Sequence, residues 1–251
     1  MQINFFEEFP DEKSLAKASL LKHKCVIFIA ARSFGAFLVH KYALQKINPL
    51  VEAAYWPIIN DSYWVSPFAN TNELENLHSD LQNSEQKGLK VLIDLELPLK
   101  NPKLFLKNLF SFSKNKKIIK SILKDADALG AEIFTAEYPL PESMLMPLGI
   151  SYSIKKYKHK RIVMYYSSML NWEKLKNYLK KLLIIPPKKD THIALGVIKK
   201  GIFGTEPIIS ANNLEKDFDF FEHEASTATI FRLGGLNEKY LDIIEKYQST
   251  N

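Results

Sequence analysis

The run Val91-Leu-Ile-Asp-Leu-Glu-Leu-Pro98 is a strongly apolar stretch that closes on two carboxylates, Asp94 and Glu96. The next such run, Ile133-Phe-Thr-Ala-Glu-Tyr-Pro139, closes in the same way on Glu137. Both are short, β-branched-rich and continuous instead of alternating, the pattern of strands in a parallel sheet covered on both faces. Helical material from Pro102 to Ala128 separates the second from the first.

Working outward from this β-α-β unit, the same alternation fills the chain. Strand-like runs cover Ile3 to Phe9, Cys25 to Ala31, Val51 to Ile58, Lys90 to Leu97, Ala131 to Glu137, Arg161 to Tyr166, Thr191 to Ile198 and Ala228 to Leu233. Helical stretches follow at Lys13 to Lys22, Phe34 to Gln45, Asn72 to Gln86, Pro102 to Ala128, Glu142 to Lys155, Asn171 to Leu183, Asn212 to Glu224 and Asn237 to Tyr247. Strand then helix, eight times over, predicts an α/β fold, a (β/α)8 TIM barrel, as a single domain over residues 1–251. No Gly-x-Gly-x-x-Gly follows any strand, which argues against a dinucleotide-binding open sheet. Asn101-Pro102 and Asn171-Trp172-Glu173 read as helix starts and Lys87-Gly88 as a stop, while Pro147 and Gly149 interrupt the fifth helix.

With 251 residues, 46% hydrophobic and 25% charged, the chain can bury one sizeable core. The formal charge of +6 is carried mostly by scattered lysines on helix faces, and no nucleic-acid-binding signature accompanies it, so no nucleic-acid partner is expected. No apolar run reaches membrane-span length and the first residues are acidic, so the expectation is a cytoplasmic protein with no membrane partner. The single cysteine, Cys25, opens a strand and reads as a buried thiol.

In such a barrel, function gathers at the C-terminal ends of the strands. Those positions hold Glu7, Arg32, Tyr55, Trp56, Asp94, Glu96, Glu137, Tyr166 and Arg232. Asp94 and Glu96 are two residues apart and share a strand face, which is the arrangement that paired-carboxylate chemistry needs: one carboxyl donates a proton while its neighbour raises that group's pKa. Glu96 is therefore the candidate general acid, with Asp94 and Glu137 assisting. Tyr55, Trp56 and Tyr166 offer flat faces for a sugar, and Arg32 and Arg232, in a chain that otherwise uses lysine, could hold an anionic group or pair with Glu7, Asp94 or Glu137. No histidine falls at a strand exit, so no metal site and no cofactor are expected; an all-oxygen Mg²⁺ site built from Glu7, Asp94, Glu96 and Glu137 belongs to an alternative, a phosphodiesterase or isomerase acting on a phosphorylated substrate. A barrel that has lost catalysis and serves as a binding module is the third reading.

Asp94-x-Glu96 on the fourth strand and Met164-Tyr165-Tyr166 on the sixth resemble the family 18 glycoside hydrolases, the chitinase-like barrels. There, a fourth-strand Asp-x-Asp-x-Glu ends in the acid and a sixth-strand Met-x-Tyr helps hold the substrate's N-acetyl group. The resemblance implies Glu96 as the acid, Asp94 as its neighbouring aspartate and Tyr166 as the tyrosine, with a small-molecule or carbohydrate substrate. Leu92 stands where the family's earlier aspartate would be, Ser167 follows Tyr166 in place of an acid or amide, and Arg232 occupies the last strand where tryptophan is common.

Overall fold

A computed structural model describes residues 1–84, 88–99, 101–169, 191–223 and 225–248. Eight strands form one closed parallel barrel in the order β1 to β8: β1 Gln2–Glu7, β2 Cys25–Ala31, β3 Val51–Pro57, β4 Lys90–Asp94, β5 Glu132–Glu137, β6 Lys160–Met164, β7 Thr191–Leu195 and β8 Thr227–Phe231. The (β/α)8 expectation holds, with each strand lying within about two residues of its expected position at the N-terminal end. The expected helix from Asn171 to Leu183, with Trp172, lies outside the described residues.

The described helices are α1 Glu12–Ala16, continued by a 3-10 turn Lys17–Leu20, then α2 Phe34–Ile47, α3 Thr71–Gln82, α4 Lys103–Lys107, α5 Phe112–Ala128, α6 Glu142–Leu148, α7 Ile154–Tyr157, α8 Ala211–Phe221 and α9 Glu238–Tyr247. The long helix expected from Pro102 to Ala128 is thus two helices joined by a turn. Asn108 caps the first and turns its side-chain amide onto the Phe68 carbonyl at 2.7 Å. The fifth helical stretch is divided as its proline and glycine foretell: α6 contains Pro147 and stops at Gly149, whose φ of 69° is left-handed.

Several strands stop earlier than their apolar runs do, and for β1 a side chain takes the backbone donor. The Phe9 amide hydrogen-bonds to the Glu7 carboxylate at 2.9 Å, ending β1. After β8 the Phe231–Arg232 peptide is cis and a 3-10 turn, Leu233–Gly235, begins.

The contacts divide the chain into two compact units, one of residues 1–30, 39–53 and 162–251, the other of residues 31–38 and 54–161. In the first, β1 pairs with β2 and β8, and β7 with β8. Asn237 caps α9 by accepting from the Tyr240 amide, and the Tyr240 hydroxyl donates to the Ile209 carbonyl at 2.5 Å. The Phe218 and Tyr247 rings stack at 5.0 Å, joining α8 to α9.

In the second unit β4 and β5 pair in continuous register from Lys90↔Glu132 to Asp94↔Ala136. The amphipathic α3 buries Leu74, Leu77 and Leu81, and α5 buries Ile119, Ile122, Leu123 and Ala126, spacings that put one apolar stripe on each helix. Asn115, fully buried within α5, donates its amide to the carbonyls of Pro67 and Ala69 at 2.9 and 2.8 Å and accepts from the Thr71 hydroxyl at 2.7 Å. One side chain thereby satisfies the backbone of the loop that runs from β3 towards α3.

Candidate functional site

Register decides which strand-end side chains share a face. Tyr55 pairs with Val91, and its ring packs at 5.2 Å from Phe37 and 5.7 Å from Phe34. Tyr55 therefore faces α2, outside the barrel, and Val91 and Ile93 lie on that outer face with it. Leu92 and Asp94 lie on the opposite, inner face, as do Phe134 and Ala136, their partners in β5. Trp56, adjacent to Tyr55, also turns inward.

Continuing the alternation, Glu96 and Tyr138 follow Asp94 and Ala136 on the inner side, and the three polar groups meet there. The Leu95 amide extends the ladder by bonding to the Ala136 carbonyl at 3.0 Å, and the Val65 amide bonds to the Asp94 carbonyl at 3.0 Å, which fixes the strand exit. Burial pushes the Glu96 carboxyl up to about 7, partly offset by hydrogen bonding with the Tyr138 hydroxyl and with Asp94. Two carboxyl groups can share a hydrogen bond only when one of them carries the proton. Tyr138 is raised in turn, by burial first and then by the Glu96 charge. No cation pairs with Glu96 among the described residues, so its proton is held by burial and by these two neighbours.

Glu137 does not join this group. It is on the outer face with Thr135, whose hydroxyl donates to it at 2.7 Å, and it forms an ion pair with Arg161 at 2.9 Å. Burial raises its pKa and the Arg161 charge opposes that rise. His159, also buried, stands 3.9 Å from the same carboxylate. Burial, helped by Arg161, lowers the imidazole to about 4, so it is neutral near pH 7. The assisting role expected of Glu137 is corrected by the period-2 geometry of β5: an odd offset from Ala136 sends the side chain away from Asp94.

In the other unit, Phe6 pairs with Phe28 and Phe231, and the rings meet at 5.4 and 6.4 Å. Phe231 also meets the Tyr166 ring at 5.9 Å, whereas Tyr165 packs at 4.9 Å against Phe221 of α8. Tyr166 thus faces inward and Tyr165 outward. Glu7 has the opposite parity to Phe6 and is buried on the outer side, accepting from Arg232 Nε at 2.9 Å and from the Gly234 amide at 2.6 Å. Arg232 also donates to the Lys200 carbonyl at 2.9 Å and lies over the Phe9 ring at 4.6 Å. These contacts engage Glu7 and Arg232 with each other, as the salt-bridge reading of the arginines expects. A four-acid Mg²⁺ set of Glu7, Asp94, Glu96 and Glu137 loses Glu137 to the outer face and Glu7 to Arg232, and among the described residues no three His, Cys, Asp or Glu side chains cluster to hold a metal.

The first strand's inward acid is Glu8. A Cβ on Gly201 would lie 2.7 Å from Glu8 Oε2, 2.7 Å from the Phe231 ring and 3.0 Å from Glu206 Oε1, so these three side chains converge on the Gly201 backbone and a larger residue there would displace them. Glu206 also accepts from the Phe203 amide at 2.8 Å. The sequence places Glu8 at the end of the first strand and Glu206 beyond the seventh but assigns neither a role, and Tyr138 is not singled out by it. For Glu8 the signal was present, since of two adjacent acids only one can share the face of Phe6. Arg32 is exposed and donates to Asn60 at 2.5 Å. Trp56 and Trp64 are both 4% exposed, and Trp64 packs edge-on to Tyr63 at 5.2 Å.

No protein-family model matches the chain, and no curated protein sequence matches it. Solved structures do. A chitinase from Chromobacterium violaceum aligns with TM-score 0.57 at 10% identity, over 100% of this chain and 99% of that one. A family 18 chitinase from Crocus vernus aligns with TM-score 0.53 at 10% identity, over 98% of each chain. The likeness is one of fold. A xylose isomerase domain protein from Planctomyces limnophilus shares it too, with TM-score 0.51 at 8% identity over 98% of this chain and 94% of that one.

Proposed function

We propose that the chain is a glycoside hydrolase-like barrel that acts on a carbohydrate, with Glu96 as its general acid. One observation carries this reading: the inner-face group Asp94, Glu96 and Tyr138, in which burial pushes Glu96 up to about 7 and no cation among the described residues pairs with it. A carboxyl with that pKa is protonated often enough at neutral pH to donate to a glycosidic oxygen, and is basic enough afterwards to take a proton from water.

Asp94 and Glu96 are hydrogen-bonded to one another. Two-carboxylate glycosidases hold their acids about 5 Å apart or more, with the sugar between them. The pair here therefore works as a single acid, Asp94 holding and steering the Glu96 proton. As that proton passes to the leaving oxygen and the carbon–oxygen bond breaks, the anomeric carbon is taken by a group outside the pair. The resemblance to the family 18 barrels points to the carbonyl oxygen of the sugar's own N-acetyl group. Water then opens that intermediate, giving its proton to the Glu96 carboxylate. Trp56 is an inner-face ring for sugar contact and Arg32 an exposed donor at its strand exit, both in the same unit as Glu96. The chitinases among the structural neighbours make an N-acetyl amino sugar the first substrate to try.

The test is hydrolysis of a panel of β-linked N-acetylglucosamine oligomers and other glycosides by the wild-type chain and by Glu96→Gln. Turnover of an N-acetyl substrate that is lost in Glu96→Gln supports the reading. Turnover unchanged in that variant, or none on any glycoside, refutes it.

A further inference from the structure

The segment that leaves β4 just beyond Glu96 carries an unusual surface. From Leu97 to Lys124 the sequence holds eight lysines and no acid. Within it, Leu99 is 55% exposed, Leu106 80%, Leu109 56% and Phe110 98%. A phenylalanine standing almost entirely in water, with leucines beside it, is an apolar patch that folding has not covered.

The exposure is built into the local structure. Leu104 of α4 is buried, and Phe105 and Phe112 pack against Phe68 at 4.7 and 5.1 Å, so this side of the helix–turn–helix is anchored to the body of its unit. Leu106, Leu109 and Phe110 stand at the end of α4 and in the turn that follows it, where Asn108→Leu104 and Leu109→Leu106 backbone bonds keep the chain tightly wound, and all three are exposed. Lys103 and Lys107 are exposed one turn apart on α4. Lys107 has only a loose exposed pair with Asp61 at 3.9 Å, while Lys114 farther along pairs with Glu75 at 2.9 Å.

We propose that this projection docks the protein on an anionic lipid surface, with Leu106, Leu109 and Phe110 entering the headgroup–acyl boundary and Lys103 and Lys107 resting on the phosphates. Protruding apolar side chains flanked by exposed lysines suit a fluid interface with negative charge. Another protein would need to supply a cleft for Phe110 together with acids for the lysines. The proposal does not depend on the chemistry at Glu96. It revises the expectation of no membrane partner: no described helix is long and apolar enough to cross a membrane, and surface docking needs none.

The experiment is co-sedimentation of the full chain with phosphatidylcholine vesicles, with and without phosphatidylglycerol, at low and high salt. Wild type should bind the anionic vesicles at low salt, bind zwitterionic vesicles poorly and weaken as salt rises. Leu106→Asp/Phe110→Asp and, separately, Lys103→Glu/Lys107→Glu should each reduce binding about tenfold or more, whereas Val39→Asp, at another exposed apolar position, should bind as wild type. Circular dichroism melts confirm that each variant is folded. Absence of binding to anionic vesicles, or binding indifferent to the patch substitutions, overturns the proposal. So does concentration-dependent self-association in vesicle-free sedimentation velocity that Leu106→Asp/Phe110→Asp abolishes while vesicle binding is absent, since the patch would then join two copies of the chain.

Discussion

Glu96 combines burial with a neighbouring acid and a neighbouring phenol, and each contributes a separable effect. Its folded pKa, about 7, lies above the ordinary value of 4.5. Between those pH values the folded state binds more protons than the unfolded chain, so this group's contribution to stability falls as pH rises through that window. Glu96→Gln removes the loss. The variant should match wild type in thermal stability near pH 4 and exceed it by roughly 1–3 kcal/mol at pH 8, as read from melts at the two pH values. Tyr138 acts in the other direction, because its hydrogen bond favours the Glu96 carboxylate. Tyr138→Phe should raise the Glu96 pKa and move the alkaline limb of any activity profile to higher pH; a limb that stays in place would detach Tyr138 from the acid.

At the scale of elements, α5 works through one polar residue in its interior. Asn115→Ala would strip the buried carbonyls of Pro67 and Ala69 of their donor and should cost about 2–4 kcal/mol, measured by denaturant unfolding. The strands were legible in the sequence because a covered parallel sheet demands continuous apolar runs, and all eight reappear. Asp94 and Glu96 were legible as a pair because parity within one strand is fixed by the backbone. Glu137 and Tyr55 were misplaced for a definite reason: parity between strands depends on register, and the pairing of Asp94 with Ala136 and of Tyr55 with Val91 is a property of the assembled sheet. Tyr138 was hidden likewise, since it reaches Glu96 only through that register. The break between α4 and α5 was invisible as well, because Asn108 ends the helix by reaching Phe68, forty residues away in the chain.

For the molecule as a whole, stability against pH should reflect groups of opposite sign, with His159 on one side and Glu96 on the other, and Glu7 and Glu137, whose pKa values burial also raises, acting in the same sense as Glu96. His159 is neutral when folded, with a pKa of about 4 against an ordinary 6.5. The unfolded chain binds the extra proton between those values, so stability falls as pH drops from about 6.5 towards 4. Glu96 makes it fall as pH rises over an overlapping range. Wild type should therefore show a flattened pH optimum, and Glu96→Gln should uncover a steeper acid-side decline. His159→Asn, by contrast, should remove the acid-side loss and leave the opposite slope, a stability that falls by roughly 2–3 kcal/mol as pH rises across the window. Calorimetric melts from pH 4 to 8 on the three chains check both signs. A wild-type curve that His159→Asn leaves unaltered would show that the imidazole is not kept neutral by the fold.

The most direct test of the central claim is the pH dependence of kcat/KM for hydrolysis of an N-acetylglucosamine oligomer. With Glu96 donating its proton in the transition state, the rate should fall with rising pH above about 7, in line with the raised carboxyl, and Glu96→Gln should lower it by about 100-fold or more and erase that limb. Hydrolysis that keeps its rate and its alkaline limb in Glu96→Gln would contradict the assignment of Glu96 as the acid.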